Sequence, residues 1–303
     1  IQEMPNMKKF FVPLLLLPFI LNAETKLIVL GSGTPNPDPE RKGSAYAVIV
    51  NDQAYLVDFG PGVVRSAAAL SPEWGGNIKA LSVKNLEYAF LTHIHSDHSA
   101  GLADLLLTPW IMGRDKEIKL FGPSGLDKMA NSILVAYEED INYRIYGTQP
   151  SNKRGYKYKF KSIEEGLIYE DKNLKVEAFR VPHGSFDDAY GFKFTTEDKV
   201  IVFSGDTGPS KTLEKLAHKV DILVHEVYSQ AGFLEKTKDW QKYHQGHHTS
   251  TLEVGEIASK AKPQLLLLSH ILFWGSTPDE ILQETRQTFN GNIKIAEDLM
   301  IIE

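Results

Sequence analysis

The sequence predicts an α/β domain in which sheets are covered by helices, and three observations carry that prediction. Extended apolar runs alternate with amphipathic stretches from residue 24 onward, and no low-complexity linker or internal repeat divides the chain. A composition of 42% hydrophobic and 24% charged residues is that of an ordinary globular protein. At 303 residues the chain is long for one domain, but large two-sheet layouts reach that size.

The elements follow in order. Residues 7–23, MKKFFVPLLLLPFILNA, place Lys8 and Lys9 before an apolar run and a small residue, Ala23. This is the layout of an export signal cleaved before Glu24. The run from Phe10 to Leu21 is shorter than the roughly 20 residues that span a bilayer, and its two prolines make a poor buried strand. Residues 1–6 read as an upstream extension. The domain is therefore expected over 24–303, periplasmic or secreted, without membrane contact once the signal is removed.

KLIVLGSG, YAVIV, AYLVDFG and LEYAFLTH read as strands; GVVRSAAAL and GLADLLLTPWIMG read as helices after glycine turns, the second entered at Gly101. SGLDKMANSILVAYEEDI reads as one longer helix. KRGYKYKFK, residues 153–161, alternates charge with aromatics and reads as a solvated hairpin face. LKVEAFRVPHG, YGFKFTT, VIVFSGDTG and DILVHEVY are strands, and TSTLEVGEIASKA is a helix capped by Thr249 or Ser250. QLLLLSH is a strand, TPDEILQETRQTF a helix and IKIAEDLMII a last strand.

Two compositional facts exclude whole classes of function. The chain has no cysteine, so disulfides, thiolate zinc sites and cysteine nucleophiles are ruled out, and any metal must be held by His, Asp and Glu. A net charge of −6 argues against a broad nucleic-acid or anionic-membrane surface.

The chemistry concentrates in LTHIHSDHSAGL, residues 91–102. His93 and His95, two apart after a strand, point to one side, whereas the adjacent Asp97 and His98 point apart. One segment can thus present ligands to two neighbouring positions, and imidazole with carboxylate suits zinc, iron or manganese. Three later strands each end in a further candidate beside a turn: His183 in RVPHG, Asp206 in FSGDTG and His270 in LLSH. Taken singly, each reads as well as a cap or a satisfied polar residue.

With these motifs in this order, the chain resembles the metallo-β-lactamase superfamily. LGSGTPNPDPERKGSA, YLVDFGPG, VHEVY and HHTSTLEVGEIA are similar to its ribonuclease Z and arylsulfatase-like branch. The resemblance covers nearly all of residues 24–303 and implies an αββα sandwich with metals at one edge of the two sheets. It implies that His93, His95 and His183 hold one metal, that Asp97, His98 and His270 hold a second, and that Asp206 bridges them. The cofactor expected is two zinc ions per chain, with manganese or iron as alternatives. A water or hydroxide between two ions about 3.5–4 Å apart is the nucleophile in such sites, and Asp97 is a candidate to orient it. Asp58, in VDFGPG, is either a partner for a ligand histidine or a turn cap. Glu226 and His248 match a pair that serves that branch near the leaving group, with His248 as proton donor. His247 is expected as a surface histidine and His225 as a strand residue.

For the substrate, only 23 positions separate His183 from Asp206, and they read mostly as strand. That leaves no space for the basic, transfer-RNA-gripping arm of short ribonuclease Z enzymes. FGPGVVRSAAAL, LLTPWIMGR, FGPSGLDKMANSILVAY and WQKYHQGHHTS are more similar to exported arylsulfatase-like members. The expectation is therefore a dinuclear metal-dependent hydrolase of sulfate or phosphate esters or diesters, acting on a small-molecule ester rather than nucleic acid, with a homodimer left open. Trp110, Tyr228, Phe233, Trp240, Phe273 and Trp274 are candidates for an apolar substrate wall, or equally for plain core. The alternatives are a transfer-RNA 3′-endonuclease of the ribonuclease Z type, a lactonase or β-lactamase, and a non-enzymatic metal-binding protein.

Overall fold

The computed structural model describes residues 24–303; the expected export signal and the extension before it lie outside the described residues. The strands are β1 (Thr25–Gly31), β2 (Ala45–Val50), β3 (Gln53–Val57), β4 (Tyr88–Phe90), β5 (Ile118–Gly122), β6 (Tyr158–Ser162) and β7 (Gly166–Glu170), followed by β8 (Leu174–Arg180), β9 (Tyr190–Thr196), β10 (Val200–Phe203), β11 (Ile222–Tyr228), β12 (Leu265–Leu272), β13 (Ile293–Ile295) and β14 (Ile301–Ile302). Among the described residues they form two seven-stranded sheets, ordered β14-β1-β2-β3-β4-β5-β6 and β13-β12-β11-β10-β9-β8-β7. The outer strands pair mainly antiparallel. β3, β4, β5 and β6 run parallel in one sheet, and β10, β11, β12 and β13 run parallel in the other.

Strand periodicity explains the layering. Every residue of β2 is buried: Val48 and Val50 face a core shared with Phe192, Phe194, Val224 and Leu267 of the other sheet, while Ala47 and Ile49 face helices. The far side of the second sheet packs on Thr251–Ala261 and Pro278–Arg286. The result is four layers, αββα, as the family resemblance implies. Both of those helices carry complete capping boxes, Ser250 with Glu253 and Thr277 with Glu280. Each cap is worth about 1 kcal/mol.

Several local expectations are corrected. The long helix is two, Gly125–Ala136 and Glu138–Tyr146, because Tyr137 leaves helical geometry and three acids, Glu138, Glu139 and Asp140, favour a fresh positive N-terminus. Residues 153–161 form no hairpin. Their strand, β6, lies parallel to β5 at the sheet edge, with Tyr158 and Phe160 turned to the helices. IKIAEDLMII splits into β13 and β14, which belong to different sheets, across Leu299 at a φ of 67°. Gly101 is not a conformational turn, having an ordinary φ of −76°; a Cβ there would lie 2.4 Å from the Gly60 carbonyl oxygen, so close approach is what excludes a side chain. The β5 and β7 strands and the helices Lys211–Leu216, Gln230–Leu234 and Lys238–His247 lay outside the sequence reading.

Candidate metal centre

All seven candidate ligands meet at one end of the sandwich, at or beyond the carboxyl ends of β4, β8, β10 and β12. β4 stops at Phe90 because the Thr92 N–H donates to the Asp58 carboxylate (2.8 Å) instead of continuing a ladder. The chain then carries His93 and His95 in a loop and Asp97 and His98 in the one-turn helix Ser96–Ser99. His183 follows β8 and Asp206 follows β10. His270 sits inside β12 at a bulge: Glu226 pairs with Ser269 and Val227 with Ile271, so His270 is skipped. Its φ of 47° turns the backbone out of the sheet, and its N–H donates to the Ser32 carbonyl of the opposite sheet (3.2 Å). A non-glycine residue in that region is rare and persists where the surroundings hold it, commonly at functional sites. Before Asp206, Gly205 takes a φ of 61°, and a Cβ there would lie 2.5 Å from the Tyr190 carbonyl oxygen.

The ligand atoms fall into two sets sharing Asp206. His93, His95, His183 and Asp206 offer atoms within 4.8 Å of one another, as do Asp97, His98, Asp206 and His270. In the first set His95 Nδ1 lies 2.9 Å from His93 Nε2 and 3.2 Å from His183 Nε2. In the second, His270 Nε2 lies 2.9 Å from Asp97 Oδ2, and His98 Nε2 lies 3.3 Å from Asp206 Oδ1. His98 Nε2 and Asp206 Oδ1 are buried without a hydrogen-bond partner, which a native interior rarely tolerates. Two nitrogen- and oxygen-rich sets with orphaned buried atoms fit a pair of divalent cations.

Three of the histidines, His98, His183 and His93, have an outward ring nitrogen held by a neighbour. His98 Nδ1 donates to Asp58 Oδ2 at 2.7 Å, and His183 Nδ1 donates to the His247 carbonyl at 2.8 Å. Thr92 Oγ1 donates to Asp58 and lies 3.0 Å from His93 Nδ1. Asp58 is therefore the partner of a ligand histidine rather than a turn cap alone. His247 is only half-exposed: its carbonyl anchors His183, and its ring stacks on Tyr243 at 4.0 Å. His225 is buried in β11, as expected, and its Nδ1 donates to the Glu226 carbonyl.

Electrostatics follow from burial. Burial alone would raise the Asp206 carboxyl, but His270 and His98 outweigh it and hold it well below the usual range. Burial also works against charge on His98, and there Asp206, Asp97 and Asp58 win and lift it well above the usual imidazole value. Burial pushes His183 down to about 4, leaving a neutral ring suited to ligation.

Beside the ligands stands a second feature. His248, at the C-terminal end of helix Lys238–His247, places Nδ1 3.3 Å from Glu226 Oε2 and 4.0 Å from Asp206 Oδ2. Glu226 Oε1 accepts from the Thr249 N–H at 2.9 Å. Burial pushes Glu226 well above the usual carboxylate range, with Asp206 adding to it, and drives His248 down to about 4. Glu226, His248 and His270 also lie within ligating distance of one another, and His248 pairs with Glu226. Of the candidate wall aromatics, Trp110 takes the core alternative: it is buried behind the first sheet, with Nε1 donating to the Asn152 carbonyl. Phe273 packs under Arg41. Tyr228, Phe233 and Trp274 stack together near His248.

A two-sheet sandwich with paired His/Asp clusters at the strand ends defines a class of dinuclear metallohydrolase. The metallo-β-lactamase superfamily model matches residues 38–270, and the chain belongs to that superfamily. Proteins named ribonuclease Z are similar to it. One from Mycobacterium bovis BCG is 29% identical over 287 residues, covering 92% of this chain and 98% of the relative. One from Mycobacterium sp. strain KMS is 31% identical over 252 residues, covering 82% and 84%. Among solved structures, the short form of human tRNase Z superposes with a TM-score of 0.68 at 22% identity, covering 92% of this chain and 98% of that one. The metallo-β-lactamase fold protein YhfI from Bacillus subtilis superposes at 0.69 with 19% identity, covering 92% and 100%. Both structures speak to the fold.

Proposed function

We propose that the protein is a metal-dependent phosphodiesterase of the ribonuclease Z type. The observation that carries this reading is the Glu226–His248 pair set against the shared ligand Asp206. His93, His95, His183 and Asp206 would hold one divalent cation, and Asp97, His98, Asp206 and His270 the other. Such a pair supplies a lowered pKa for water and neutralises charge on a phosphoryl oxygen. Asp97 orients the attacking water. The water oxygen bonds to phosphorus as one of its protons passes to solvent, the bond from phosphorus to the leaving oxygen breaks, and His248 passes a proton to that oxygen and regains one from solvent. Negative charge developing on the leaving oxygen favours the protonated imidazole despite burial, and Glu226 fixes the ring through Nδ1.

The sequence favoured a small ester over RNA because no arm fits between His183 and Asp206, and β9 and β10 do occupy that interval. The M. bovis relative is covered over 98% of its length by this compact chain, so the missing arm does not set the chain apart from proteins of that name. The interval and the net charge of −6 still favour a second reading, a hydrolase of small aryl sulfate or phosphate esters.

Metal-loaded protein offered pre-tRNA with a 3′ trailer, bis(4-nitrophenyl) phosphate, 4-nitrophenyl sulfate and a β-lactam separates these. Trailer release leaving a 3′-hydroxyl and a 5′-phosphate is expected. Turnover of the small esters with intact pre-tRNA would replace it with the second reading. No turnover at full metal content would leave a metal-binding protein.

A further inference from the structure

A cavity of about 370 Å3 opens on His248, a size that fits one small-molecule group. Its walls are aromatic. Trp240, Tyr243 and His244 come from helix Lys238–His247, and Trp274 comes from the loop after β12. Trp274 is locked from behind by Tyr228 at 5.5 Å, and Gly232 packs so closely that a Cβ there would lie 2.8 Å from the Trp274 Cβ. Its φ of 46° is rare for a bulky residue and implies that the surroundings dictate its position. Trp240 and Tyr243 contribute little to any core, being 54% and 40% exposed. His244 bridges the two tryptophans, 5.6 Å from Trp240 and 4.4 Å from Trp274 between ring centres. Lys236 Nζ sits 4.7 Å from the Trp274 ring centre, and no carboxylate lines the cavity.

The other side of the metal centre is different. A cavity of about 520 Å3 borders Asp97, and its lining is polar, with Arg41 and Lys42 beside Asp38 and no aromatic residue. The two halves of a bound diester therefore meet unlike surroundings. The aromatic half adjoins the proton donor, and the polar half, without aromatics, adjoins the residue that orients water.

We propose that the Trp240/Trp274 pocket holds the leaving group, and that the leaving alcohol carries a planar aromatic ring, a nucleobase or a phenol, stacked on these side chains. This rests on the hydrolytic reading above. The bond broken joins phosphorus to the oxygen of the ring-bearing alcohol, the water oxygen replaces it on phosphorus and loses one proton to solvent, and the His248 proton ends on the departing oxygen. The polar remainder of the phosphate leaves past Arg41 and Lys42.

Dinucleoside monophosphates lacking one base test the sides separately. In the metal-loaded full chain, removing the base of the nucleoside that departs through its 3′-oxygen should raise KM by about 10- to 100-fold, the usual worth of base–aromatic stacking. Removing the other base should change KM less than about threefold, because no aromatic faces it. In Trp240→Ala the ratio of KM values between abasic and intact leaving nucleosides should fall toward one. A merely structural defect would lower activity on both equally and leave the ratio intact. Trp240 is an exposed helix residue, so this variant should fold, whereas Trp274→Ala also loses packing on Tyr228. Phenyl methyl phosphate run beside the dinucleotides identifies the ring source by which substrate suffers more from Trp240→Ala.

Calorimetric titration with adenosine and with phenol reads the pocket without turnover. Binding lost in Trp240→Ala supports the pocket even if no diester is cleaved, in which case the hydrolytic reading alone falls. Cleavage with KM indifferent to the leaving base, or equal losses for either base, would overturn the pocket and leave the hydrolytic reading standing.

Discussion

Asp58→Asn tests how the centre is assembled. The Asp58 carboxylate is buried and takes three donors: the Thr92 N–H at 2.8 Å, Thr92 Oγ1 at 3.0 Å and His98 Nδ1 at 2.7 Å. Its backbone φ of 57° is one that asparagine tolerates, so the fold should survive the change. An asparagine can keep both Thr92 bonds through Oδ1, which turns its NH2 toward His98. Two donors then face each other. His98 must accept at Nδ1 and move its proton to Nε2, the atom that points at Asp97 and Asp206 at 3.4 and 3.3 Å. A ring protonated there cannot ligate. Removing such a supporting contact typically costs about 10- to 100-fold in metal affinity, or about 1.4–2.7 kcal/mol. The loss should fall on the ion held by Asp97, His98 and His270, while the His93/His95/His183 set keeps its affinity. Competition against a chromophoric chelator should show two equal classes of ion in the wild type and one weakened class in the variant, with unchanged thermal unfolding of the metal-free proteins. Two ions bound as tightly as in the wild type, or both weakened alike, would refute the assigned roles of Asp58 and His98.

Elemental analysis should find close to two transition-metal ions per chain; His95→Ala should lose one, and Asp206→Ala, which stands in both ligand sets, should lose both. His248→Ala should cost about 10²–10⁴-fold in kcat/KM with an alkyl or phenyl leaving group and far less with nitrophenolate, at normal metal content; parallel Brønsted slopes in variant and wild type would exclude proton donation, and metal loss would make His248 a ligand. Trp110→Ala, which empties a site only 1% exposed behind the first sheet, should lower stability by about 3–5 kcal/mol in denaturant unfolding without altering the KM of the folded fraction. If residues 7–23 direct export, N-terminal sequencing of native protein should begin at Glu24, and a native chain retaining Phe10 to Leu21 would overturn that assignment.

Much of the centre was legible in the sequence because its chemistry is local. A histidine or aspartate beside a glycine, serine or proline turn at the end of an apolar run is visible in a few consecutive residues, as at His183, Asp206 and His270, and the spacing of His93, His95, Asp97 and His98 shows within one segment. Asp58 was visible in the same way but ambiguous, since a carboxylate in a turn caps a backbone as readily as it braces a ring. The two-sided burial of strands such as β2 was legible as near-continuous apolar runs. Element breaks were not. Tyr137 divides a helix that shows no proline or glycine at the break, and β13 and β14 separate only because their partners lie in different sheets.

By itself the sequence determined which residue types could bind metal, that thiolates could not, and which family's order of motifs the chain follows. Tertiary structure brought the candidate ligands into two sets, because His270 meets Asp97 across 173 positions of chain and no spacing encodes that approach. It also decided which aromatics face the site. Trp110 and Trp240 are alike as letters, yet one is sealed behind a sheet and the other stands beside His248. Side-chain surroundings are set by packing between distant elements, and only the folded chain brings those elements together.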